Sequence, residues 1–466
     1  MNVHGRIACI VLAVGSQVLA QDLVEPPRSP DTMPAAAASE PTSQPAADAN
    51  VPPTRALPSP FDSPPFPFSD YLGPTIGAPD ATSDFLLMNV LKHGLFGNAL
   101  EESRIKVYGW VDLSMNVSTS QHSNIPLVYN IAPNRPALDQ AVLRVERVPD
   151  TVQKDHIDWG FRVTSFGGID YRYTTAQGYF SDQLLRYNNY YGFDAPEMYA
   201  LLYVPWVAEG MVIKVGRYIS PPDIEAQFSP DNYLFTHSVM YSIDPYTFTG
   251  IQASIRLHPQ WTVQFGVHSG ADMAPWTNVA QPNGQFLVRW VSKDNQDSFY
   301  GGINSIGSGE VRNGHDNLQH LVGTWTHKFS DKIHTSTEVY WMWERNGLLG
   351  GTPNFGPVHS FGTGGGAGPV IPGLSNSVGV VNYLEIALSK KDCLSIRNDF
   401  LDDIQGQRTG FPTTYTSHAI GWSHAFTDSL SVRPELRYDH SYEAKAYDNG
   451  TRRDQFTFSI DMIFRF

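Results

Sequence analysis

The chain has 466 residues, a formal net charge of −14, 12% aromatic side chains and only 17% charged ones. The acidic balance excludes nucleic acid as a partner. No stretch beyond the first twenty residues reaches the eighteen or more apolar residues of a membrane helix, which excludes a helical bundle in the bilayer.

Met1 to Ala20 reads as a secretory signal. Arg6 supplies the basic start, Ile7 to Val14 the short apolar stretch, and Val18-Leu19-Ala20 a cleavage site before Gln21. Cys9 leaves with the signal, so Cys393 stands alone and no internal disulfide is expected. Arg6, three residues before Cys9, also argues against a lipid anchor. Residues 21–82 hold nearly half of the 34 prolines, among Ala and Ser, and cannot bury enough apolar surface to fold. They read as a disordered periplasmic tether. Residues 83–103 form a lead-in, in which Ser83 to Phe96 (SDFLLMNVLKHGLF) predicts one short amphipathic helix capped by Ser83 or Asp84.

From residue 104 to 466 the chain reads as strand after strand. In Ile105 to Val117 the odd positions are apolar or Gly, and the even ones are Lys, Tyr, Trp, Asp, Ser and Asn. Thirteen residues of period two suit a tilted membrane crossing. The last strand is as clear: Phe456, Phe458, Ile460, Met462, Phe464 and Phe466 share one face, with Gln455, Thr457, Ser459, Asp461 and Arg465 opposite. Sixteen strands are expected, near 105–117, 138–148, 157–166, 196–205, 211–218, 248–257, 261–268, 285–292, 298–306, 317–328, 332–343, 377–388, 393–402, 414–426, 429–439 and 455–466. Their connections alternate long (118–137, 219–247, 344–376, 440–454) and short (His258-Pro259-Gln260, Ser330-Asp331, Lys390-Lys391-Asp392, Thr427-Asp428). Long loops on one rim and tight turns on the other fit an all-β fold, a transmembrane antiparallel up-and-down β-barrel of about 16 strands, range 14–18, behind the tether.

Several segments resemble the OmpL-like β-barrel porin family. They are Val107-Tyr108-Gly109-Trp110-Val111-Asp112, Asp158-Trp159-Gly160-Phe161-Arg162-Val163, Val215-Gly216-Arg217-Tyr218 with Pro221-Pro222, Tyr246 to Ile251, Arg433 to Asp439, and the closing Ile463-Phe464-Arg465-Phe466. The resemblance runs from about residue 104 to the end and leaves out the Pro-rich tether. It implies an outer-membrane barrel acting as a porin, and it carries over no assigned functional residue.

Enzyme chemistry finds no foothold. The hydrolase elbow G-x-S-x-G is missing, the fragment Gly307-Ser308-Gly309 having the wrong spacing. Gly362 to Gly368 lacks the Lys-Ser/Thr of a phosphate loop and reads as a surface loop. The histidines are scattered, so neither a metal nor a cofactor is expected.

Pore chemistry is better represented. The polar parity of the strands places on the lumen wall Lys106, Asp112, Arg144, Glu146, Asp158, Arg162, Glu197, Lys214, Arg256, Arg289, Glu338, Arg397, Asp399, Arg433, Glu435, Arg437, Asp439, Asp461 and Arg465. The third long connection, 219–247, carries Asp223, Glu225, Asp231 and Asp244 among Phe228, Tyr233, Phe235, Tyr241 and Tyr246. So many aromatics predict a loop folded inward to narrow the channel. The candidate constriction residues are Asp223, Glu225 and Asp231, facing wall residues Arg144, Arg162, Lys214, Arg256, Arg289, Arg433, Glu435 and Arg437.

The expected function is passive diffusion of small hydrophilic solutes or ions, with no enzymatic activity. The alternative is a plugged structural or adhesive barrel linking the outer membrane to the cell wall or an extracellular partner. Expected partners are outer-membrane lipid, the permeating solutes and the barrel-assembly machinery, which would read the terminal Phe466. Cell-wall contact through the tether and a homotrimer are open options.

Overall fold

The computed structural model describes residues 76–80, 82–94, 97–126, 129–351 and 368–466. The expected signal, residues 21–75 of the expected tether, and the Gly-rich run up to residue 367 lie outside the described residues.

Two-residue periodicity becomes two faces. Between Lys106 and Ser118 the side chains of Asp112, Ser114 and Asn116 are buried, while Leu113, Met115 and Val117 are 44%, 51% and 59% exposed on the other face. At the chain's other end Phe456, Phe458, Met462 and Phe464 are exposed, and Gln455, Thr457, Ser459 and Asp461 are buried. Polar side chains therefore point into the barrel and apolar ones outward to lipid, the inverse of a soluble protein.

The strands are β1 Lys106–Ser118, β2 Pro136–Arg147, β3 Asp158–Gly168, β4 Gly192–Val204, β5 Met211–Ile219 and β6 Thr247–His258. Next come β7 Trp261–His268, β8 Asn283–Val291, β9 Asp297–Ile306, β10 Gln319–Lys328 and β11 Ile333–Arg345. The last are β12 Leu374–Ala387, β13 Asp392–Asp403, β14 Thr413–Thr427, β15 Leu430–Ser441 and β16 Asp454–Arg465. Each pairs antiparallel with its neighbours in sequence, and β1 pairs with β16 to close the barrel. Closure removes every sheet edge, which a strand in hydrocarbon requires because no water can satisfy its backbone there. The C-terminus completes the seam: Phe466 N donates to Gly109 O at 2.9 Å, and Gly109 N donates to Phe466 O at 3.0 Å.

Sixteen strands match the expected number, and the main departure in bounds is physically instructive. β4 was expected to begin at Pro196, yet it begins four residues earlier at Gly192. The pairing slips between Thr164↔Glu197 and Phe166↔Asp194, a bulge that holds Ala195 and Pro196. A bulge is where a strand tolerates a residue with no N–H to donate.

The single helix expected within Ser83 to Phe96 is present as α1 Leu86–Lys92, and a second short helix, α2 Gly97–Ser103, follows it in the lead-in. Neither Ser83 nor Asp84 caps α1: the N-cap is Phe85, without a side-chain cap, and the Asp84 carboxylate is instead ion-paired with Lys92. Two single-turn helices, α3 Tyr171–Thr174 and α4 Asp182–Leu185, lie in the long β3–β4 connection.

Candidate pore constriction

The connection from β5 to β6, residues 220–246, is buried throughout except at Pro230, Asp231 and Asn232. Its apolar residues explain the inward path. Ile224, Phe228, Leu234, Val239, Met240 and Ile243 are each no more than 2% exposed. Phe228 meets Trp110 of β1 edge-on at 5.4 Å between ring centres, and Arg144 of β2 stacks over it at 4.7 Å. On the far wall the loop presses on two glycines: a Cβ on Gly421 would stand 2.4 Å from Leu234 Cδ2, and one on Gly379 would stand 2.8 Å from Met240 Sδ. The loop thus crosses from β5 to the wall formed by β11 to β15.

Wall charges hold it there by hydrogen-bonding its backbone. Arg433 Nη1 donates to Ser229 O at 2.8 Å and to Asn232 O at 2.7 Å. Arg437 donates to His237 O, and Arg397 to Thr236 O. From the other side, backbone N–H groups donate to wall carboxylates: Ile224 to Glu338 at 3.0 Å, Thr236 to Glu435 at 2.9 Å and Val239 to Asp399 at 2.8 Å. Arg408, in the β13–β14 connection, donates to Ile243 O at 2.8 Å. Hydrogen bonds to charged groups contribute roughly 1.5–3 kcal/mol each, so the loop is fastened along most of its length.

The loop's own acids serve that fastening. Glu225 accepts from Ser238 N at 2.8 Å and from Tyr383 Oη at 2.6 Å, and burial raises its carboxyl above the usual range. Asp223 accepts from Glu225 N at 2.8 Å; burial, and then the adjacent Glu225 charge, push it up to about 7. Asp244 is raised by burial and by Asp223, whereas burial keeps His237 well below the usual histidine value and hence neutral. Asp231 differs in place, sitting half-buried at the tip.

Of the candidates named from sequence, Arg433, Glu435 and Arg437 come together on the loop. Arg144 and Arg162 brace the wall, Arg144 pairing with Glu197 at 2.9 Å and Arg162 with Glu146 at 2.8 Å and Glu197 at 3.2 Å, and of the two Arg144 also touches the loop, through the Phe228 ring. The structure does not bring Lys214, Arg256 or Arg289 to that clamp. Lys214 lies over the rings of Tyr199 and Tyr218, Arg256 donates to Ile76 O at 2.9 Å, and Arg289 is half-buried on β8. Arg408 and the two wall glycines were not singled out from sequence, nor was Arg217, which pairs with Asp194 at 2.7 Å at the root of the loop. Strict alternation from Lys214 would turn Arg217 outward. It does: the ladder runs through Gly216 without a shift, Tyr218 shares the face of Lys214, and Arg217 faces the other way with Thr249, buried there because Thr174 O and the Tyr179 ring of the β3–β4 connection lie against it.

A cavity of about 650 Å³ opens at the rim of tight turns, where the chain's C-terminus also lies. It reaches the loop tip at Pro230 and Asn232, with Arg433, Arg465, Lys390 and Phe85 among its walls. Residues ahead of α1 line the same rim, so the end of the expected tether packs on the barrel. Gly77 N donates to Thr151 Oγ1 at 2.9 Å, and Asp80 pairs with Lys106 at 3.1 Å.

A family model described as "Putative beta-barrel porin-2, OmpL-like" matches residues 104–466. No curated protein matches the chain. Among solved structures, the chain is similar to an anion-selective porin from Comamonas acidovorans, at 10% identity over 78% of this chain and 99% of that one, with a TM-score of 0.48. It is similar to OmpT, an outer membrane protein of Vibrio cholerae, at 10% identity over 78% and 97%, with a TM-score of 0.44. The outer membrane channel DcaP of Acinetobacter baumannii gives 9% identity over 78% and 97%, with a TM-score of 0.45.

Proposed function

The chain belongs to the β-barrel porin-2, OmpL-like family of outer-membrane barrels, and on that premise we propose that it is a passive-diffusion porin for small hydrophilic solutes or ions. One observation carries the reading: a closed barrel of sixteen strands holds, across its lumen, a loop clamped by wall arginines and carboxylates. A loop so held narrows the path, and a narrow segment with low-dielectric walls focuses the field of its fixed charges. Burial raises Asp223 and Glu225, so Asp231 at the tip is the loop carboxylate that faces the ions, and it favours cations modestly. The test is planar-bilayer conductance in a salt gradient. Asp231→Asn should move the reversal potential toward anions with barrel stability intact, and an unchanged potential would place the selectivity elsewhere.

A second reading, a closed structural barrel, is favoured by the burial of wall charges such as Arg397 and Arg437, at 0% and 1% exposure. Folded protein that inserts into the bilayer yet gives no conductance steps would establish it.

A further inference from the structure

One arrangement recurs three times on the outer surface. In β10 and the turn after it, Trp325, His327 and Phe329 follow at alternate positions; in β14 Trp422, His424 and Phe426 do the same; at the end of β15 the set is Tyr438, His440 and Tyr442. In every case the histidine is paired directly across the ladder with the aspartate that opens the neighbouring strand: His327↔Asp297, His424↔Asp392 and His440↔Asp454. One carboxylate oxygen accepts twice. Asp297 Oδ1 lies 2.8 Å from His327 Nδ1 and 3.1 Å from Trp325 Nε1. Asp392 Oδ1 lies 2.7 Å from His424 Nδ1 and 3.1 Å from Trp422 Nε1. The following aromatic stands edge-on to the imidazole at 4.6 Å and 77° in the first set, and at 4.5 Å and 82° in the second. The first two sets sit on the rim of tight turns and the third on the rim of long loops. The flanking aromatics are 41% to 61% exposed, and the histidines about a quarter exposed.

The chemistry selects a ligand. An ionised aspartate only accepts, so Nδ1 carries the proton it shares, and Nε2 of the neutral ring is an acceptor. Each cluster carries a net charge of −1 with neutral imidazole and zero with imidazolium, never positive. Two aromatic faces and two acceptors suit an ammonium, by cation–π attraction and hydrogen bonding. A lysine stands beside the β14 cluster, Lys391 Nζ lying 3.1 Å from Phe426 O, whereas Lys328 lies on the opposite face of β10 from His327 and pairs with Asp331 at 2.8 Å. We propose that these two clusters are headgroup sites for a phospholipid bearing a primary ammonium, phosphatidylethanolamine, in the periplasmic leaflet. The ammonium sits on Asp, His and the rings, and at the β14 cluster the phosphodiester faces Lys391.

The test is native mass spectrometry of the full chain from mixed micelles of phosphatidylethanolamine and phosphatidylglycerol, with a parallel mixture containing phosphatidylcholine, which has no N–H to donate. The wild type should retain phosphatidylethanolamine over either competitor by roughly two- to five-fold, the range of an exposed cation–π contact. His327→Asn with His424→Asn keeps a donor for the aspartate but lacks the outer acceptor, and should abolish the preference. The corresponding Gln pair, whose amide reaches the Nε2 position, should restore part of it. Phe329→Leu with Phe426→Leu, which leaves every hydrogen bond in place, should lower the preference even if the histidine variants fail to fold. Equal retention of all three lipids by the wild type, a preference for phosphatidylglycerol, or a preference undiminished in the Asn pair would each overturn the proposal.

Discussion

Arg433 shows how one residue serves both wall and loop. Its guanidinium is paired with Asp461 on β16, while Nη1 holds the Ser229 and Asn232 carbonyls. Removing one partner of a buried pair costs roughly 3–5 kcal/mol, mostly because the remaining charge is stranded. Arg433→Ala should therefore loosen the loop tip, seen as new chymotryptic cleavage near Phe228 and Tyr233. Adding Asp461→Asn should recover much of the stability but not the protection of the loop, since the carbonyls stay unpaired; full recovery of protection would assign Arg433 to the wall alone. Asp223 supplies a pH dependence. A docked carboxyl raised to about 7, against an ordinary value near 3.8, makes docking strongest below about pH 4. As pH rises toward 7 the undocked loop ionises freely and the docked one does not, so docking weakens and then levels off. Single-channel conductance should accordingly rise between about pH 4 and 7 and level off above, and Asp223→Asn should flatten the rise. A conductance that falls over that range contradicts the assignment.

At the scale of elements, the loop and the wall are matched in shape as well as charge. Leu234 and Met240 occupy space that exists only because Gly421 and Gly379 lack side chains. Overpacking a filled interior typically costs about 1–3 kcal/mol. Here the loop can move more easily than a strand hydrogen-bonded on both sides. Gly421→Val and Gly379→Val are thus expected to displace the loop rather than open the barrel. Conductance and chymotryptic sensitivity should increase while heat-modifiable gel migration stays as in the wild type. Loss of heat-modifiability would show instead that these glycines serve the sheet itself.

For the whole molecule, the rim of tight turns is where the barrel meets the chain that precedes it. Ile76 O accepts from Arg256, Asp80 pairs with Lys106, and Phe85 lies 6.3 Å from Tyr108 between ring centres. Two truncations behind the signal separate the roles of this region. Deleting residues 21–75 should leave insertion and conductance unchanged. Deleting residues 21–85 removes all three contacts, and should widen the mouth and raise conductance with a barrel that still folds. Equal conductance from both truncations would mean that these residues decorate the rim without narrowing it.

The strands, their number and the alternation of long and short connections were legible in the sequence because each rests on local period-two patterning, which water and lipid sort on the spot. The inward path of residues 220–246 was legible too, since eleven or more apolar residues in an exposed loop have nowhere else to go. Partnership was not. Parity turned Arg397, Arg433 and Arg437 inward but could not say that they clasp backbone carbonyls some two hundred residues earlier in the chain, because closure of the barrel alone brings β13 and β15 opposite the loop. Parity put Arg217 on the outer face, where it lies, but could not say that Asp194, Thr174 and Tyr179 bury it there. The role of Gly379 and Gly421 is set by what lies across the lumen from them, and no local pattern records it. Sequence determined which side of the wall each residue faces; the tertiary structure decided what it meets there, since those contacts join segments that only a closed sheet makes neighbours.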